Sequence, residues 1–326
     1  MKKRMLHIAL LTSGGDAPGM NAAIRAVVRA GIYHGLEVTG ILHGYEGLIN
    51  EEFVKLNASS VANIIQRGGT ILKTSRSLRF MTEEGMARAY ENLVKNKIDG
   101  LITIGGDGTF RGAEQLNSKY NFPVIGVPGT IDNDMVGTDM TIGYDTAINT
   151  VVAAVDKIRD TAESHDRLFF VEVMGRDAGL IALRCGIAVG AEAILMPEAP
   201  VNIERLIDKL KNAKRKKNSK IIIIAEGDEA GGAFEIARKV TEKVKGYDAR
   251  VTILGHIQRG GTPSCMDRVN ASRLGYEAVL ALLKSQQGIM VGIVNKEVAY
   301  TALKKSAKHM QKLDSELLKM LEVLSM

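Results

Sequence analysis

The chain has 326 residues, more than one hydrophobic core usually serves, so two domains or one large α/β domain are expected. Apolar residues make up 45% and charged residues 25% of the sequence, and these values exclude an intrinsically disordered protein. The net charge of +6 leaves nucleic acid, a membrane surface and phosphorylated small molecules open as partners.

Short, continuously apolar runs recur along the chain, and nearly all of them end in glycine or an acid. They are HIALLTSGGD at 7–16, EVTGILHG at 37–44, GLITIGGDG at 100–108, PVIGVPG at 123–129, LFFVEVMG at 168–175, IIIIAEG at 221–227 and VTILGHIQ at 251–258. Unbroken apolarity is typical of strands buried on both faces of a parallel sheet. Helical spacing lies between the runs, for example from Ile148 to Ile158. The alternation predicts an α/β fold.

The basic residues and the cysteines narrow the choice of partner and compartment. The dense basic cluster at 211–220 follows an amphipathic pattern at 203–210, and the chain has no tryptophan. Because aromatic stacking surfaces are sparse, phosphorylated ligands fit the charge better than a nucleic acid. Cys185 and Cys265 lack the spacing of a disulfide framework or a zinc site, and no apolar run could span a membrane. We expect a cytoplasmic protein without membrane contact.

A glycine turn, LLTSGGDAPGMN at 10–21, stands between the first predicted strand and the helix that follows it. Backbone N–H groups and the positive end of the helix dipole make such a junction suitable for phosphate. The P-loop pattern GxxxxGK[ST] does not occur in the sequence. A tight turn without a ligand is an equally good interpretation of this stretch alone.

The stretch ITIGGDGTF at 102–110 has the same strand-to-helix form around one carboxylate, Asp107. That carboxylate could hold Mg²⁺ directly or through water, and the flanking glycines let a polyphosphate approach the backbone. Several kinase superfamilies, including those acting on lipids and on NAD, share the motif. It therefore indicates a phosphate-handling enzyme without specifying the substrate.

Two more carboxylates follow the next predicted strand, in PGTIDNDMVGTD at 128–139. In a loop, one of Asp132 and Asp134 could accept the proton of a substrate hydroxyl while the other orients the substrate or binds near the metal. Phosphoryl transfer depends mainly on positioning and charge neutralisation, with a carboxylate taking the alcohol proton. A plain turn or a calcium loop is the alternative, although the EF-hand spacing is absent.

These stretches, together with VEVMGRDAG at 171–179 and LGHIQRGG at 254–261, resemble the bacterial 6-phosphofructokinase family over residues 8–295. The resemblance implies transfer of the γ-phosphate of Mg-ATP to the 1-hydroxyl of fructose 6-phosphate in glycolysis, with Mg²⁺ as cofactor. It also implies a homotetramer whose subunits have two three-layer α/β/α domains with mostly parallel sheets and an active site in the cleft between them. We expect a nucleotide domain of residues 1–143 and 258–309, and a sugar-phosphate domain of residues 144–257 and 310–326.

The resemblance also implies a role for each matched residue. On the nucleotide side these are Gly15, Arg76, Ser77, Asp107, Gly108 and Thr109, with Asp107 as the metal-side group. On the sugar-phosphate side they are Thr130, Asp132, Asp134, Arg167, Met174, Gly175, Arg176, Glu226, Arg250, His256 and Arg259, with Arg167 and Arg250 supplied by a neighbouring subunit. Asp132 would be the general base, with Asp134 beside it near the metal. The groups that stabilise charge on the transferring phosphoryl group would be Thr130, Arg76 and Arg176.

Taken singly, several of these residues also have ordinary structural interpretations. An arginine near a glycine is commonly a solvated surface charge. His256 could be a structural histidine, and Glu226 could simply end a strand. The motif context favours the functional interpretation.

Two glycines indicate the phosphoryl donor. Pyrophosphate-dependent relatives typically carry an acid where this chain has Gly108 and a lysine where it has Gly129. An acid at position 108 would crowd and repel an α-phosphate, so we expect ATP to be the donor.

Family members bind ADP and phosphoenolpyruvate at a second, regulatory site between subunits. The residues of this chain that match that site are Arg25, Arg29, Arg159, Gly190, Glu192, Arg215 and Lys217. Glu192 would hold the magnesium ion of the effector. Arg25 and Arg29 are four residues apart on a predicted helix and so share a face. A solvated basic run is the alternative for Arg215 and Lys217.

The chain departs from the family pattern at two places. Around the effector site, Lys216 and Ser219 stand at the usual glycine and histidine positions, and Ala58 stands where some members have arginine. The segment SRSLRF at 75–80 lacks the Pro-Glu pair that often follows the nucleotide-side arginine. We expect catalysis to survive these changes and inhibition by phosphoenolpyruvate to be weaker or differently tuned.

Other functions stay open from the sequence alone. One is a related kinase that uses tagatose 6-phosphate as acceptor or pyrophosphate as donor. Another is a catalytically silent nucleotide-binding protein, against which the intact Asp107 and Asp132 argue. The last is nucleic-acid binding through residues 211–220, which would depend strongly on salt.

Overall fold

The computed structural model describes residues 5–165, 167–198, 203–212, 220–227, 231–244, 246–306 and 315–324. The chain forms two compact units. Unit 1 comprises Met1–Thr146 and Arg259–His309, and unit 2 comprises Ala147–Gln258 and Met310–Met326.

Strands and helices alternate along the first part of unit 1. In chain order they are β1 (His7–Thr12), α1 (Met20–Tyr33), β2 (Glu37–Ile41), α2 (Gly44–Asn50), β3 (Phe53–Leu56), α3 (Glu83–Lys95), β4 (Gly100–Gly105), α4 (Asp107–Tyr120) and β5 (Val124–Pro128). Helix α5 (Tyr144–Glu163) begins at the end of this stretch and continues into unit 2. The predicted helix from Ile148 to Ile158 is therefore confirmed.

Unit 2 continues the alternation of strands and helices. Its elements are β6 (Arg167–Val173), α6 (Leu180–Ala188), β7 (Ala193–Leu195), α7 (Ile203–Asn212), β8 (Lys220–Ala225), α8 (Gly232–Lys243) and β9 (Asp248–Ile253). The chain returns to unit 1 through α9 (Cys265–Leu283), β10 (Ile289–Val294), β11 (Glu297–Ala302) and α10 (Leu303–Ser306), and α11 (Ser315–Leu324) belongs to unit 2. Short 3₁₀ helices occupy Arg79–Met81 and Gly255–Arg259. Among the described helices, none has the length and apolarity needed to span a membrane.

The described strands of unit 1 form one sheet in the order β11-β10-β5-β4-β1-β2-β3. The inner pairs are parallel, and β3 and β11 add antiparallel edges. Thr12 pairs with Ile104, and Gly105 pairs with Pro128, so the carboxyl ends of β1, β4 and β5 lie side by side. Ligands of open α/β sheets bind beyond such strand ends.

The described strands of unit 2 form a smaller, wholly parallel sheet in the order β7-β8-β6-β9. Its central strand β8 contains four consecutive isoleucines at 221–224, all fully buried, as expected for a strand covered on both faces. Helix α7 packs the buried Leu206, Ile207 and Leu210 against this sheet. The amphipathic pattern predicted for 203–210 is therefore a helix, as expected.

All seven apolar runs predicted as strands form strands, and the α/β fold with mostly parallel sheets is confirmed. The prediction missed β3, β7, β10 and β11. Strand β7 has only three residues, and β3 and β11 are partly exposed antiparallel edges. The β10–β11 hairpin turns at Asn295 and Lys296, which both have positive φ, as a type I′ turn requires. Cys185 is buried and Cys265 exposed, and both thiols are free.

Candidate active site

Three turns meet at the carboxyl ends of neighbouring strands in unit 1. The backbone N–H of Ser13 donates to the carbonyl of Ile104 at 3.0 Å, and that of Gly129 donates to the carbonyl of Gly105 at 3.0 Å. The hydroxyl of Thr109 donates to the carbonyl of Ser13 at 3.0 Å. These bonds hold the glycine turn after β1, the Asp107 turn after β4 and the loop after β5 together.

The glycines of the β4 turn differ in what they leave room for. A Cβ atom on Gly105 would lie 2.3 Å from the Thr109 hydroxyl oxygen and 2.4 Å from the Ser13 carbonyl oxygen, so packing requires glycine there. A Cβ atom on Gly108 would meet nothing within 4 Å. The glycine at position 108 is therefore not required by the fold and leaves space beside Asp107.

Asp107 begins helix α4, and its side chain is only 16% exposed. Its carboxylate accepts a hydrogen bond from the guanidinium of Arg111, one turn further along the helix, at 2.6 Å. The sequence did not single out Arg111, although the spacing of four residues is typical of helical ion pairs. The arginine fixes the carboxylate at the mouth of the turn.

The loop after β5 carries Thr130, Asp132 and Asp134, all of which are buried. Asp132 has 3% of its surface exposed, and its backbone N–H donates to the hydroxyl of Thr130 at 3.2 Å. A carboxylate that is shielded from water in this way interacts strongly with a nearby proton donor. The three loop residues predicted for catalysis are thus all buried on the same loop, with Thr130 and Asp132 in contact.

Asn133 shapes this loop, a role that the sequence did not reveal. It has a left-handed backbone with φ of 53°, a conformation that asparagine tolerates better than most residues. Its side-chain oxygen accepts from the backbone N–H of Thr141 at 2.7 Å, and the Thr141 hydroxyl donates to the carbonyl of Thr130 at 2.6 Å. The two bonds close the loop on itself.

A buried carboxylate on helix α9 anchors the far end of the same loop. Asp267 accepts hydrogen bonds from the backbone N–H groups of Gly143 and Thr146, both at 2.8 Å, and from the Thr146 hydroxyl at 2.5 Å. Burial raises the pKa of Asp267, while the hydrogen bonds from Thr146 oppose that shift. The sequence analysis missed this residue, although Ser264 caps the helix three positions earlier, in the usual capping spacing.

The segment that leads to Arg76 and Ser77 is tied to the glycine turn after β1, which contains Gly15. The Thr74 hydroxyl donates to the carbonyl of Gly14 at 2.7 Å, which ties the segment before the exposed Arg76 to that turn. Arg259, predicted for the sugar-phosphate side, packs its guanidinium directly on Gly15, where a Cβ atom would lie 2.4 Å away. Arg259 also donates to the carbonyl of Asp16 at 3.3 Å.

In unit 2, predicted residues follow the carboxyl ends of β6, β8 and β9. The Glu226 side chain accepts from the backbone N–H of Arg176 at 2.8 Å, which joins the β8 and β6 ends. The fully buried Gln258 accepts from the backbone N–H of Met174 at 3.3 Å, and it is another residue that the sequence analysis missed. His256 is exposed in the 3₁₀ helix after β9 rather than on the strand itself.

The backbone around Arg176 is unusual. Gly175 has φ of 141°, and Arg176, although not glycine, has φ of 53°. A Cβ atom on Gly227 would lie 2.0 Å from the Arg176 carbonyl oxygen, so the neighbouring strand end requires glycine. Residues in such sparsely populated conformations cluster at functional sites.

Arg167 and Arg250 lie apart from these residues. Arg167 begins β6, and Arg250 is in the first half of β9, whereas Met174 follows the last residue of β6. Both arginines donate to the same carboxylate oxygen of Asp248 at 2.9 Å. At about 3.3 Å per residue, the seven residues of β6 place the two ends roughly 20 Å apart. Within unit 2 these two arginines are not near the residues at the strand ends.

Several residues predicted for the effector site come together in unit 2. Arg159 donates to the carbonyl of Val189, next to Gly190, which has φ of 59°. The carbonyl of the buried Glu192 accepts from the ammonium group of Lys209 at 2.7 Å, which adds a cation that the sequence analysis did not name.

The other residues predicted for the effector site lie in unit 1 or outside the described residues. Arg25 and Arg29 lie one turn apart on α1 in unit 1, Arg25 partly buried and Arg29 exposed. Arg215 and Lys217 lie outside the described residues.

Comparison with known proteins gives concordant matches over nearly the whole chain. The family profile described as Phosphofructokinase matches residues 7–282. An ATP-dependent 6-phosphofructokinase 2 of Bacteroides thetaiotaomicron is 53% identical over 319 residues, covering 98% of each chain. An ATP-dependent 6-phosphofructokinase 1 of Thermus thermophilus is 54% identical over 323 residues, covering 99% of this chain and all of that relative.

A solved structure extends the agreement to the fold. Phosphofructokinase from Saccharomyces cerevisiae superposes with a TM-score of 0.87 at 36% identity, covering 98% of this chain and 47% of the yeast chain. Sequence profile, full-length relatives and fold therefore agree, and the chain belongs to the phosphofructokinase family.

Proposed function

We propose that this chain is an ATP-dependent 6-phosphofructokinase, which transfers the γ-phosphoryl group of ATP to the 1-hydroxyl of fructose 6-phosphate. The observation that carries the proposal is in unit 1. Buried Asp132 lies on the loop beyond β5, which is hydrogen-bonded to the glycine-bounded Asp107 turn beyond β4. Full-length relatives of more than 50% identity carry the same activity in their names.

In the proposed reaction Asp132 acts as the general base. It takes the proton of the sugar hydroxyl as the new oxygen–phosphorus bond forms and the bond to the leaving ADP oxygen breaks. A base in this position contributes about 10²–10⁴-fold to the rate. Arg76, Thr130 and Arg176 stabilise the charge on the transferring group, which is usually the larger effect.

Asp107 is the proposed protein ligand on the metal side. The described residues contain no group of three or more His, Cys, Asp or Glu side chains that could hold a metal ion alone. Mg²⁺ in kinases is typically held by one or two carboxylates, waters and substrate phosphates, so a single partly buried carboxylate fits it. When bound, Mg²⁺ neutralises phosphate charge. Arg111 keeps the Asp107 carboxylate oriented for that role.

ATP is proposed as donor because of the two glycines beside these carboxylates. The space beyond Gly108 suits an α-phosphate, which an acidic side chain would repel. A Cβ atom on Gly129 would lie 3.1 Å from Ile104 and 3.2 Å from Met20, so the long side chain of a lysine would crowd the loop.

We assign nucleotide binding to unit 1 and sugar-phosphate binding mainly to unit 2. Unit 1 holds Gly15, Arg76, Ser77 and the Asp107–Thr109 turn, while unit 2 holds Met174, Arg176, Glu226 and His256. Guanidinium groups suit phosphate recognition, and a carboxylate such as that of Glu226 suits sugar hydroxyls.

We also propose a homotetramer with shared active sites and an effector site for ADP and phosphoenolpyruvate. Arg167 and Arg250 lie at the opposite end of their sheet from Met174, which supports a role at a neighbouring subunit's site. Arg159 donates to the carbonyl of Val189 and Lys209 to the carbonyl of Glu192, so both cations contact the segment 189–192 that is proposed to meet the effector.

A coupled assay with purified protein tests the proposal. ATP or pyrophosphate is offered as donor, and fructose 6-phosphate or tagatose 6-phosphate as acceptor. We expect the highest kcat/KM with ATP and fructose 6-phosphate. Turnover with pyrophosphate but not ATP would overturn the choice of donor, and no turnover with any pair would indicate a silent nucleotide-binding protein.

A further inference from the structure

One carboxylate on helix α2 holds two side chains of the nucleotide-side segment 75–80. The Ser77 hydroxyl donates to one oxygen of Glu46 at 2.6 Å, and the Arg79 guanidinium donates to the other at 2.5 Å. Arg79 also donates to the side chain of Asn50 at 3.1 Å, at the end of the same helix. The hydrogen bond from Ser77 lowers the pKa of Glu46, so the carboxylate is ionised near neutrality.

The single proton of the Ser77 hydroxyl is committed by these contacts. A hydroxyl has a single proton to donate, and Ser77 donates it to Glu46. Its oxygen accepts from the backbone N–H of Phe80 at 3.1 Å. In this arrangement Ser77 cannot also donate to a phosphate, so its contribution to nucleotide binding passes through Glu46.

The neighbouring residue on α2 contacts the metal-side turn. The buried Tyr45 hydroxyl donates to the carbonyl of Thr109 at 2.6 Å. The Tyr45 ring stacks on that of Phe80, with centroids 4.0 Å apart and planes 16° from parallel. Adjacent residues of one short helix therefore contact both the Asp107–Thr109 turn and the 75–80 segment.

We propose that Glu46 is a positioning residue for nucleotide binding, which holds Arg76 and Ser77 at a fixed distance from the Asp107–Thr109 turn. The inference rests on the proposed function and adds a residue to it. Arg79 occupies the segment that lacks the family's usual Pro-Glu pair, and its cation supplies the second partner of Glu46. The anchor of this segment is thus an ion pair in this chain.

A matched pair of substitutions separates positioning from ordinary surface pairing. Glu51, just beyond α2, likewise joins two groups with its carboxylate, accepting from Lys95 at 2.8 Å and from Asn96 at 2.7 Å. Its side chain is 30% exposed, close to the 25% of Glu46, but its partners lie at the end of α3. An exposed ion pair by itself contributes little to stability. Glu51→Gln is therefore the control, because it removes a similar pair that does not contact the 75–80 segment.

We expect Glu46→Gln to raise the KM for ATP and the Kd for MgADP about tenfold, the loss of one charged hydrogen bond. The KM for fructose 6-phosphate should stay within about twofold of wild type, and Glu51→Gln should stay within about twofold in all three constants. Unchanged MgADP binding in Glu46→Gln, or an equal loss in Glu51→Gln, would overturn the proposal. Calorimetry with MgADP needs no turnover, so a failure of the proposed activity is recognised separately.

Two further variants keep the test decisive. Arg79→Gln, at an exposed position, should reproduce the MgADP effect if Glu46→Gln does not fold. Ser77→Ala combined with Glu46→Gln should bind MgADP no more weakly than the weaker single variant, because both remove the same link. If the double variant raised the Kd for MgADP by the product of the two single effects, Ser77 would contact the nucleotide directly, which would contradict the assignment.

Discussion

The carboxylate of Asp267 accepts hydrogen bonds from both the backbone N–H and the hydroxyl of Thr146, at 2.8 and 2.5 Å. Thr146 lies in the first turn of α5, just after the loop that carries Asp132, and Asp267 lies in the first turn of α9. The Thr146 hydroxyl in turn accepts from the backbone N–H of Ser264 at 2.9 Å. The loop of the proposed general base is therefore anchored to a second helix by groups buried inside unit 1.

Asp267→Asn should destabilise unit 1 by about 1–3 kcal/mol at pH 7, because an amide cannot accept from all three donors. The pKa of Asp267 is raised by burial, so the folded state binds its proton more tightly than the unfolded state, where the carboxyl titrates near pH 3.9. Its contribution to the free energy of unfolding is present in full below that pH and is lost as the pH rises through the folded pKa. Urea unfolding between pH 4 and 7 measures this effect. The free energy of unfolding of wild type should increase relative to that of Asp267→Asn as the pH falls, and a difference that stays constant with pH would contradict the expectation.

Asp132→Ser should lower kcat by about 10²–10⁴-fold and change the KM for fructose 6-phosphate much less, since a base acts mainly in the transition state. Asp139→Ser is a suitable control, because this exposed residue lies on the same loop and its carboxylate accepts from the backbone of Asn295 at 2.7 Å. Steady-state kinetics of both variants measures the contrast. A kcat for Asp132→Ser near that of wild type would rule out the assignment.

Gly108→Asp should reduce kcat/KM for ATP by about tenfold or more while leaving the melting temperature nearly unchanged. The reason is that a Cβ atom there would meet no protein atom within 4 Å, while the added carboxylate would repel the phosphates at the proposed site. Gly105→Ala is the contrasting variant, since its Cβ atom would clash with Thr109 and Ser13 and lower the melting temperature. Full ATP-dependent activity in Gly108→Asp would argue against this position for the nucleotide.

Hybrid oligomers test the sharing of active sites. Asp132→Ser and Arg250→Ala homo-oligomers should each be nearly inactive with fructose 6-phosphate. If Arg250 serves a neighbouring subunit's site, co-refolded mixtures contain sites with both native residues and should recover a measurable part of the activity. Mixtures no more active than the separate variants would place Arg250 in its own subunit's site or outside catalysis.

The proposed effector site should respond weakly to phosphoenolpyruvate, because the basic run at 211–220 departs from the family pattern. Arg159→Ala should reduce any activation by ADP without a large change in kcat, since Arg159 contacts the Val189–Gly190 turn rather than the Asp132 loop. Initial rates at varied fructose 6-phosphate, with and without each effector, measure this. Steep sigmoidal inhibition at low phosphoenolpyruvate, relieved by ADP, would contradict the expectation.

The sequence predicted those parts of the site in which a reactive side chain stands beside glycines at the end of an apolar run. Asp107 and Asp132 follow buried apolar runs and glycines, so their place at strand ends could be inferred from local pattern. The roles of three other residues could not be inferred in this way: Asp267, Gln258 and Asn133. Their side chains accept hydrogen bonds from backbone N–H groups that are distant in sequence or lie within the same loop, and no local pattern reveals such partners. The pairing of Glu46 with Ser77 and Arg79 spans about 30 positions and depends on tertiary packing alone.

The contrast between Gly105 and Gly108 has a consequence for how this enzyme family could diversify. A side chain at position 105 would clash with Thr109 and Ser13 and so affect folding, whereas a Cβ atom at position 108 meets no protein atom within 4 Å and lies beside the proposed phosphate site. In a library randomised at position 108, changes in donor preference should therefore be less confounded by losses of folded protein than in a library randomised at position 105.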